Sequence, residues 1–417
     1  MKESRLSWRL MLLSCLYFSQ GLPFGFFSQA IPPILRQYGV DLEKIGLISM
    51  IGAPWALKFL WAPYVDQFGS ARLGRHKSWI LPMQACFFLL MIAIAWFDPE
   101  SLRGNGLYYL LFLCFLINLF AATQDIATDG FAVQSLAPRE RGLGNSVQVG
   151  AYRVGMLFGG GVLLILLDAV GWESAFYLLA LAIVLASVPI LYHREHSDFP
   201  VRGKAGAASV WTLFVHYLRE PNIGRWLLVV TVYKIADSLG SAMGKPFLVD
   251  AGLTLADIGW LSAVLGMTCS IVGAVVAGLL IPRLGRVRSL LYFGLIQAAS
   301  FLGYAWLATL DTVSLTAVAW VSGIEHFTGG MATVALFTAM MDACRPQVAG
   351  TDYTIQASIQ VTVTGLLHAF SGFFATAFGY SAHFVLSFTL GILILFPVLW
   401  WANGRSTGVS SSDRTSA

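Results

Sequence analysis

Apolar residues recur along this chain in long blocks, with polar residues gathered in short stretches between them. A helix crossing roughly 30 Å of hydrocarbon needs about 20 residues. Twelve blocks meet that length, near 9–31, 44–65, 79–97, 107–135, 143–167, 173–192, 223–249, 258–281, 289–309, 312–341, 352–378 and 381–402. The first has features of a signal peptide, with Lys2, Arg5 and Arg9 ahead of it and Ser28-Gln29-Ala30 resembling a cleavage site. Its apolar stretch is too long and eleven more follow, so it reads as an uncleaved helix.

Composition sharpens the picture. The 417 residues are 57% hydrophobic and only 12% charged, about half the charged share of a soluble domain. This excludes a disordered chain, a nucleic-acid binder and an ordinary cytosolic enzyme. The expected fold class is an all-α membrane protein in contact with the lipid bilayer. Five cysteines, Cys15, Cys86, Cys114, Cys269 and Cys344, sit in or beside apolar segments without CxxC spacing, so neither a disulfide framework nor a metal site is expected.

Lys and Arg in the loops set the orientation. The N-terminus, the even-numbered loops and the tail hold nineteen basic residues, among them Arg72, Arg75, Lys77, Arg139, Arg141, Arg194, Arg202, Lys204, Arg283, Arg286, Arg288 and Arg405. The opposite side holds only Arg36, Lys44 and Arg103. Both termini are expected in the cytoplasm, which requires an even number of spans. Residues 193–222 read as a cytoplasmic linker between halves 1–192 and 223–403, with His193 and His196 as a solvated loop pair. The Ser- and Thr-rich tail, 404–417, reads as disordered.

The halves resemble each other, as in a duplicated transporter. Leu42-Glu43-Lys44-Ile45-Gly46-Leu47-Ile48-Ser49 matches Leu255-Ala256-Asp257-Ile258-Gly259-Trp260-Leu261-Ser262 at an offset of 213. Asp66-Gln67-Phe68-Gly69 faces Pro282-Arg283-Leu284-Gly285, and Tyr17 faces Tyr233, at an offset of 216. The loop from Asp66 and Gly69 to Gly74-Arg75-His76-Lys77 resembles the signature loop of the major facilitator superfamily, where a Gly-rich turn lets two helices approach and an Asp pairs with a nearby Arg. Asp66, Gly69, Arg75 and Lys77, with Gly285 and Arg286 in the second copy, are the candidate gating residues. Two departures stand out: Ala62 replaces a usual Gly, and several extra residues separate Asp66 from Arg75; in the second copy Pro282 replaces the Asp.

Ionisable residues at membrane depth are costly and point to function. They are Lys58, Asp125, Asp129, Arg153, Lys234, Asp237, Lys245 and Glu325. Asp125 and Asp129 are four apart and share a helix face; Lys234 and Asp237 are three apart and can pair. Shielded carboxylates can take up and release protons near neutrality, so Asp125, Asp129, Asp237 and Glu325 are candidates for proton coupling. Gln20, Lys58, Gln124, Arg153, Tyr233, Lys234 and Glu325 are candidates for substrate contact, Arg suiting a carboxylate or phosphate. Arg153 and Lys234 belong to opposite halves, so one anion held between them would sense both. Gln20-Gly21-Leu22-Pro23 is expected to interrupt span one, Pro32-Pro33 to end it, and Gly329-Gly330 to break span ten, since broken helices line cavities. Gly155, Gly159, Gly160 and Gly161 read as close helix contacts. No GxxxxGK[ST], HExxH or GxSxG run occurs, and no catalytic cluster gathers at one membrane face, so a transporter is favoured over a membrane enzyme or a channel.

Several runs resemble the AmpG-like permeases of the major facilitator superfamily: Phe18-Ser19-Gln20-Gly21-Leu22-Pro23, Lys58-Phe59-Leu60-Trp61-Ala62-Pro63, Gln124-Asp125-Ile126, Glu140-Arg141-Gly142, Tyr152-Arg153-Val154-Gly155-Met156, Tyr233-Lys234-Ile235-Ala236-Asp237, and Glu325 with Gly329-Gly330-Met331. The resemblance implies twelve helices in two pseudo-symmetric halves, a bacterial inner-membrane importer driven by protons, no cofactor, and a monomer. Within the group, muropeptide permeases commonly carry further spans, for which the chain past Trp401 leaves no room. The shorter RhtX/FptX-type siderophore importers share a run like Met341-Asp342-Ala343-Cys344-Arg345-Pro346 and Thr351-Asp352-Tyr353-Thr354-Ile355-Gln356-Ala357-Ser358. The expected substrate is therefore a siderophore, with an anhydromuropeptide as the alternative and the acetyl-coenzyme A transporters as a more distant relative.

Overall fold

The computed structural model describes residues 6–38, 40, 51–70, 72–104, 106–195 and 210–412. The first copy of the 42–49 repeat, and Lys2, Arg5, Lys44, His196, Arg202, Lys204 and Arg414, lie outside the described residues. Among those described, the only strand-like pairing is one bridge, Ser70 to Gly74; the rest is helix and connection.

In chain order the spans are α1 (Leu6–Gln37), α2 (53–67), α3 (Lys77–Ala95), α4 (Gly106–Ser135), α5 (Arg141–Val170), α6 (Trp172–Tyr192), α7 (Ile223–Asp250), α8 (255–284), α9 (Arg286–Leu307), α10 (Leu315–Asp342), α11 (349–378) and α12 (380–412). Their outward faces stay apolar. Trp96, Tyr108, Leu89, Ile165, Trp320, Phe370 and Phe373 are all more than half exposed, as expected of helices that meet lipid on one side and protein on the other.

Helix α11 runs into α12 through Gly379 alone, at φ 80° and ψ 164°. Gly171 makes the same turn between α5 and α6, at φ 81° and ψ 173°. An L side chain is strained in that region, so glycine permits a one-residue reversal there. This is why the two final spans leave almost no loop between them.

Several expected breaks are absent, and others occur elsewhere. Gln20 to Pro23 does not interrupt α1, which stays helical with Pro23 inside it. The irregularity comes later, as a π turn over Phe26–Ala30. Pro32 and Pro33 occupy the first turn of the following helical segment and do not end the span; proline is tolerated there because those N–H groups need no intrahelical acceptor. Gly329-Gly330 lies within the unbroken α10. Span two is instead broken into short pieces, Ala53–Leu57, Lys58–Leu60 and Ala62–Gln67. Span seven is interrupted at Tyr233-Lys234, between Ile223–Val232 and Ile235–Asp250.

The linker is partly helical, at Val210–Leu218, with Leu213 and Tyr217 buried. The tail expected to be disordered continues as helix to Ser412. Asn222 Nδ2 donates to the Gly404 carbonyl at 2.8 Å, anchoring the start of that extension.

The chain divides into two compact units: Met1–Ala137 with Gly150–Val210 and Cys344–Ser358, and Pro138–Val149 with Trp211–Ala343 and Ile359–Ala417. Helix α5 therefore begins in the second unit and continues in the first, while α11 does the reverse. The first unit's core includes Leu22, Phe26, Ile31, Met91, Leu110 and Phe176. The second is built on Phe247, Leu261, Phe301, Tyr304, Leu307 and Phe384. In the first unit α1 and α5 touch along the glycines read from the sequence: a Cβ on Gly155 would lie 2.2 Å from the Phe18 carbonyl, and one on Gly159 2.0 Å from that of Leu22.

Candidate functional site

The first unit holds a buried charged cluster on α1, α2 and α4. Lys58 sits in the broken stretch of α2 and is 2% exposed. Its Nζ donates to Asp125 Oδ2 and lies 5.4 Å from the centre of the Trp55 ring. Asp129, one turn along α4, accepts from the Tyr17 hydroxyl at 2.8 Å. The Asp125 and Asp129 side chains also lie against each other, as the four-residue spacing predicts. Tyr152 is within electrostatic range of both carboxylates. Two acids thus stand beside one ammonium, which pairs with Asp125, in a largely buried site.

Beside them is an amide network. Gln84 Nε2 and Gln124 Nε2 each donate to Ser19 Oγ at 3.0 Å, and Ser19 passes its hydrogen to the Leu16 carbonyl at 2.7 Å. Gln20 is 1% exposed, and neither end of its amide has a protein partner. Arg153 lies half-buried on α5. The structure thus brings Lys58, Asp125 and Asp129 together, with Gln124 one residue along α4. Tyr17, Ser19 and Gln84 complete the polar cluster. Sequence inspection read Tyr17 as the repeat partner of Tyr233, because nothing local marks a hydroxyl that meets a carboxylate 112 residues away.

In the candidate gating loop Arg75 and Asp66 form the expected ion pair, both buried, with Arg75 Nη2 4.0 Å from Asp66 Oδ1, beyond hydrogen-bond range. Asp66 Oδ2 instead accepts from Thr351 N at 2.5 Å and Thr351 Oγ1 at 2.6 Å, where the first turn of α11 offers unpaired N–H groups and the positive end of its dipole. Arg75 Nη1 donates to the Gln347 carbonyl at 2.9 Å. Gly69 serves close approach as expected, since its Cβ would stand 3.0 Å from the Arg75 backbone. Lys77 donates to the carbonyls of Leu191 and His193.

Glu195, which the sequence left unassigned, accepts from the backbone N–H groups of His76 and Lys77 and lies 2.6 Å from His76 Nδ1. Burial pushes its carboxyl up, but the His76 contact and those N–H groups outweigh this and hold it below the ordinary carboxylate range.

The run expected to mark the substrate is largely occupied with structure. Arg345 makes a bidentate contact with Asp352, at 2.8 and 2.7 Å. Asp342 accepts from Arg141 Nη1 at 2.7 Å and Arg286 Nε at 2.5 Å. Arg286 also donates to the Pro138 carbonyl at 2.5 Å. With Pro282 in place of an acid, Asp342 supplies the carboxylate for Arg286. Gly285 enters α9 at φ 79°.

In the second unit Lys234 caps the interruption of α7 and pairs with Asp237 at 2.8 Å, as read from the spacing. Gln297 Nε2 donates to Asp237 Oδ1 at 2.5 Å. Tyr233 donates to the Leu290 carbonyl at 2.9 Å. Glu325, on α10, is buried and lies 2.6 Å from His326 Nδ1. Lys245, expected at membrane depth, is exposed near the end of α7. No cluster of metal-ligating side chains occurs among the described residues.

Comparison with known proteins agrees with this architecture. The family model described as Major Facilitator Superfamily matches residues 13–367. The chain is 30% identical over 395 residues to the anhydromuropeptide permease of Escherichia coli (strain K12), covering 94% of this chain and 79% of that protein. It is 29% identical over 413 residues to an uncharacterized protein of Haemophilus influenzae, covering 96% of each. Among solved structures, a bacterial homologue of the iron transporter ferroportin in an outward-facing state superposes with a TM-score of 0.70 at 14% identity, over 96% of this chain and 100% of that one. The fucose transporter FucP in its outward conformation gives 0.66 at 15% identity, over 94% and 98%. At such identities these structures speak for the fold alone. The family match spans most of the sequence and the described helices agree with it: the chain belongs to the major facilitator superfamily of secondary active transporters.

Proposed function

We propose that this protein imports an anhydromuropeptide, an anhydro sugar bearing a short peptide, by proton-coupled alternating access. The observation that carries the coupling is the buried group of Lys58, Asp125, Asp129 and Tyr17. Lys58 neutralises one carboxylate of the pair, so the second carboxyl is the place in this cluster where a proton is exchanged. Lys58 engages Asp125, which leaves Asp129, held by a neutral phenol, as the proton carrier. Taking up or releasing that proton changes the charge of the cluster by one unit, and a conformational equilibrium responds to it if the two states bind the proton with different affinity.

The substrate class is supported by 30% identity, over 94% of the chain, to a protein named for anhydromuropeptide transport. The siderophore expectation leaned on residues 341–358, whose Asp342, Arg345, Thr351 and Asp352 side chains are engaged in ion pairs and helix capping. Free for solute recognition in the first unit is the Gln20 amide, suited to amide and hydroxyl groups. The contacts of Asp66 with Thr351, and of Asp342 with Arg141, tie together segments far apart in the chain. In this reading they are made in one transport state and released in the other.

The test is uptake of radiolabelled anhydromuropeptide by intact spheroplasts of a host that lacks its own permease, with a labelled siderophore in parallel. The expected result is accumulation of the muropeptide alone, abolished by a protonophore. Accumulation of the siderophore alone would overturn the substrate assignment.

A further inference from the structure

The segment that leads into α5 and the Gly285 turn between α8 and α9 meet in the second unit. Arg286 Nη2 donates to the Pro138 carbonyl at 2.5 Å, which places Arg139 beside the Arg283–Arg288 stretch. Residues 138–141 and 283–288 together carry five arginines, Arg139, Arg141, Arg283, Arg286 and Arg288, and one acid, Glu140. Asp342 of α10 engages two of the five, Arg141 Nη1 at 2.7 Å and Arg286 Nε at 2.5 Å. Arg139, Arg283 and Arg288 are exposed, and among the described residues their guanidinium groups have no hydrogen-bond or ion-pair partner. Basic groups at several other helix ends are occupied. Arg345 holds Asp352, Lys77 donates to two carbonyls, and Arg225 lies 4.7 Å from the centre of the Trp400 ring.

Two of these arginines end outward apolar stripes. On α8, Val272, Val275 and Leu279 are exposed at helical spacing, and Arg283 follows one turn later on the same face. On α9 the order reverses: Arg288 comes first, and the exposed Tyr292, Leu295, Leu302 and Trp306 continue its face. An arginine at the end of a lipid-facing stripe stands at headgroup level, its stem against the chains and its charge in the polar layer. A guanidinium matches phosphate oxygens in a bidentate way. A free phosphate would meet the same donors but leave both apolar stripes unused, so the geometry favours a lipid.

We propose that Arg139, Arg283 and Arg288 form a docking surface for the headgroup of an anionic phospholipid, whose chains lie along the outward stripes of α8 and α9. The lipid phosphate lies beside the Arg141–Asp342–Arg286 bridge and supplies the counter-charge that the single Asp342 carboxylate leaves wanting. The site is separate from the solute path, so it stands or falls independently of the muropeptide reading.

The test titrates the purified full-length protein, in a neutral detergent, with dioleoyl phosphatidylglycerol or dioleoyl phosphatidylcholine, and counts bound lipid by native mass spectrometry. Wild type should bind phosphatidylglycerol about ten-fold or more tightly than phosphatidylcholine, and inorganic phosphate should not displace it. Each of Arg139→Gln, Arg283→Gln and Arg288→Gln should weaken phosphatidylglycerol by about five-fold, the effect of one basic residue near a membrane surface, and leave phosphatidylcholine unchanged. The three side chains are exposed and unpartnered, so the variants are expected to fold, which gel filtration verifies. Arg219→Gln removes an exposed arginine outside both segments and should behave as wild type. Equal affinity of wild type for the two lipids would overturn the proposal, as would an undiminished preference in the three variants. An equal loss in Arg219→Gln would reduce the effect to net charge, and displacement by inorganic phosphate would make the occupant a free anion; either result overturns the lipid site.

Discussion

Removing the ammonium of Lys58 leaves the buried Asp125 carboxylate without its cation. The side chains of the pair are 3% and 11% exposed, so solvent does little to replace the lost partner. Breaking a buried ion pair from one side costs about 3–5 kcal/mol, whereas removing both members together is often close to neutral. Lys58→Met and Asp125→Asn should therefore each destabilise the protein by about 3–5 kcal/mol, and the double variant should recover most of that loss. The resulting coupling energy, about 3 kcal/mol, is far above the roughly 0.5 kcal/mol scatter of independent sites. Reversible unfolding of the purified protein in mixed micelles, followed by tryptophan fluorescence, gives all four corners of the cycle. Additive single losses would refute the pairing and, with it, the argument that Asp129 carries the mobile proton.

Other predictions follow from single contacts. Asp66→Ala orphans the Thr351 N–H, a loss of about 1–3 kcal/mol; hydrogen exchange at residues 350–352 should accelerate at least ten-fold, and unchanged exchange would contradict the capping role. Gly159→Ala puts a methyl 2.0 Å from the Leu22 carbonyl, so overpacking should lower stability by about 1–3 kcal/mol, visible as a lower thermal midpoint. Because the Glu195 carboxyl is held below its ordinary value, its contribution is complete above the unfolded carboxylate range and is lost as pH falls through the lower folded value. Amide protection at His76 and Lys77 should decline on acidification in the wild type, while Glu195→Gln should be weakly protected at every pH.

The sequence was most informative where period and length decide the outcome. The long apolar blocks exposed the spans, and the four-residue spacing of Asp125 and Asp129 put both on one face of α4. The three-residue spacing of Lys234 and Asp237 foretold their ion pair. It was least informative about breaks. Glycine and proline suggested interruptions at Gln20–Pro23 and Gly329-Gly330, yet Pro23 is accommodated within α1 and both glycines within α10. The interruptions at Lys58 and Lys234 arise in ordinary-looking sequence: the Lys58 ammonium is held by Asp125 of another helix, and the local partner of Lys234, Asp237, is braced by Gln297 of α9. Long-range partners such as Tyr17 for Asp129 and Thr351 for Asp66 leave no local signature. The ion pair of Asp66 with Arg75, suggested by the family loop, is present at 4.0 Å, but the hydrogen bonds of Asp66 go to Thr351, because the α11 N-terminus offers two donors at hydrogen-bond distance.

The central claim is that a proton on the Asp125–Asp129 pair drives solute accumulation. It is tested most directly in proteoliposomes loaded with purified protein, by imposing an inward proton gradient and measuring uptake of labelled anhydromuropeptide by wild type and Asp129→Asn. The amide oxygen can still accept from Tyr17, so the variant keeps its local contacts. Wild type should accumulate solute above the external concentration and lose it when the gradient collapses, while Asp129→Asn should exchange solute across the membrane at equal concentrations without accumulating it. Gradient-driven accumulation by Asp129→Asn equal to that of wild type would contradict the account.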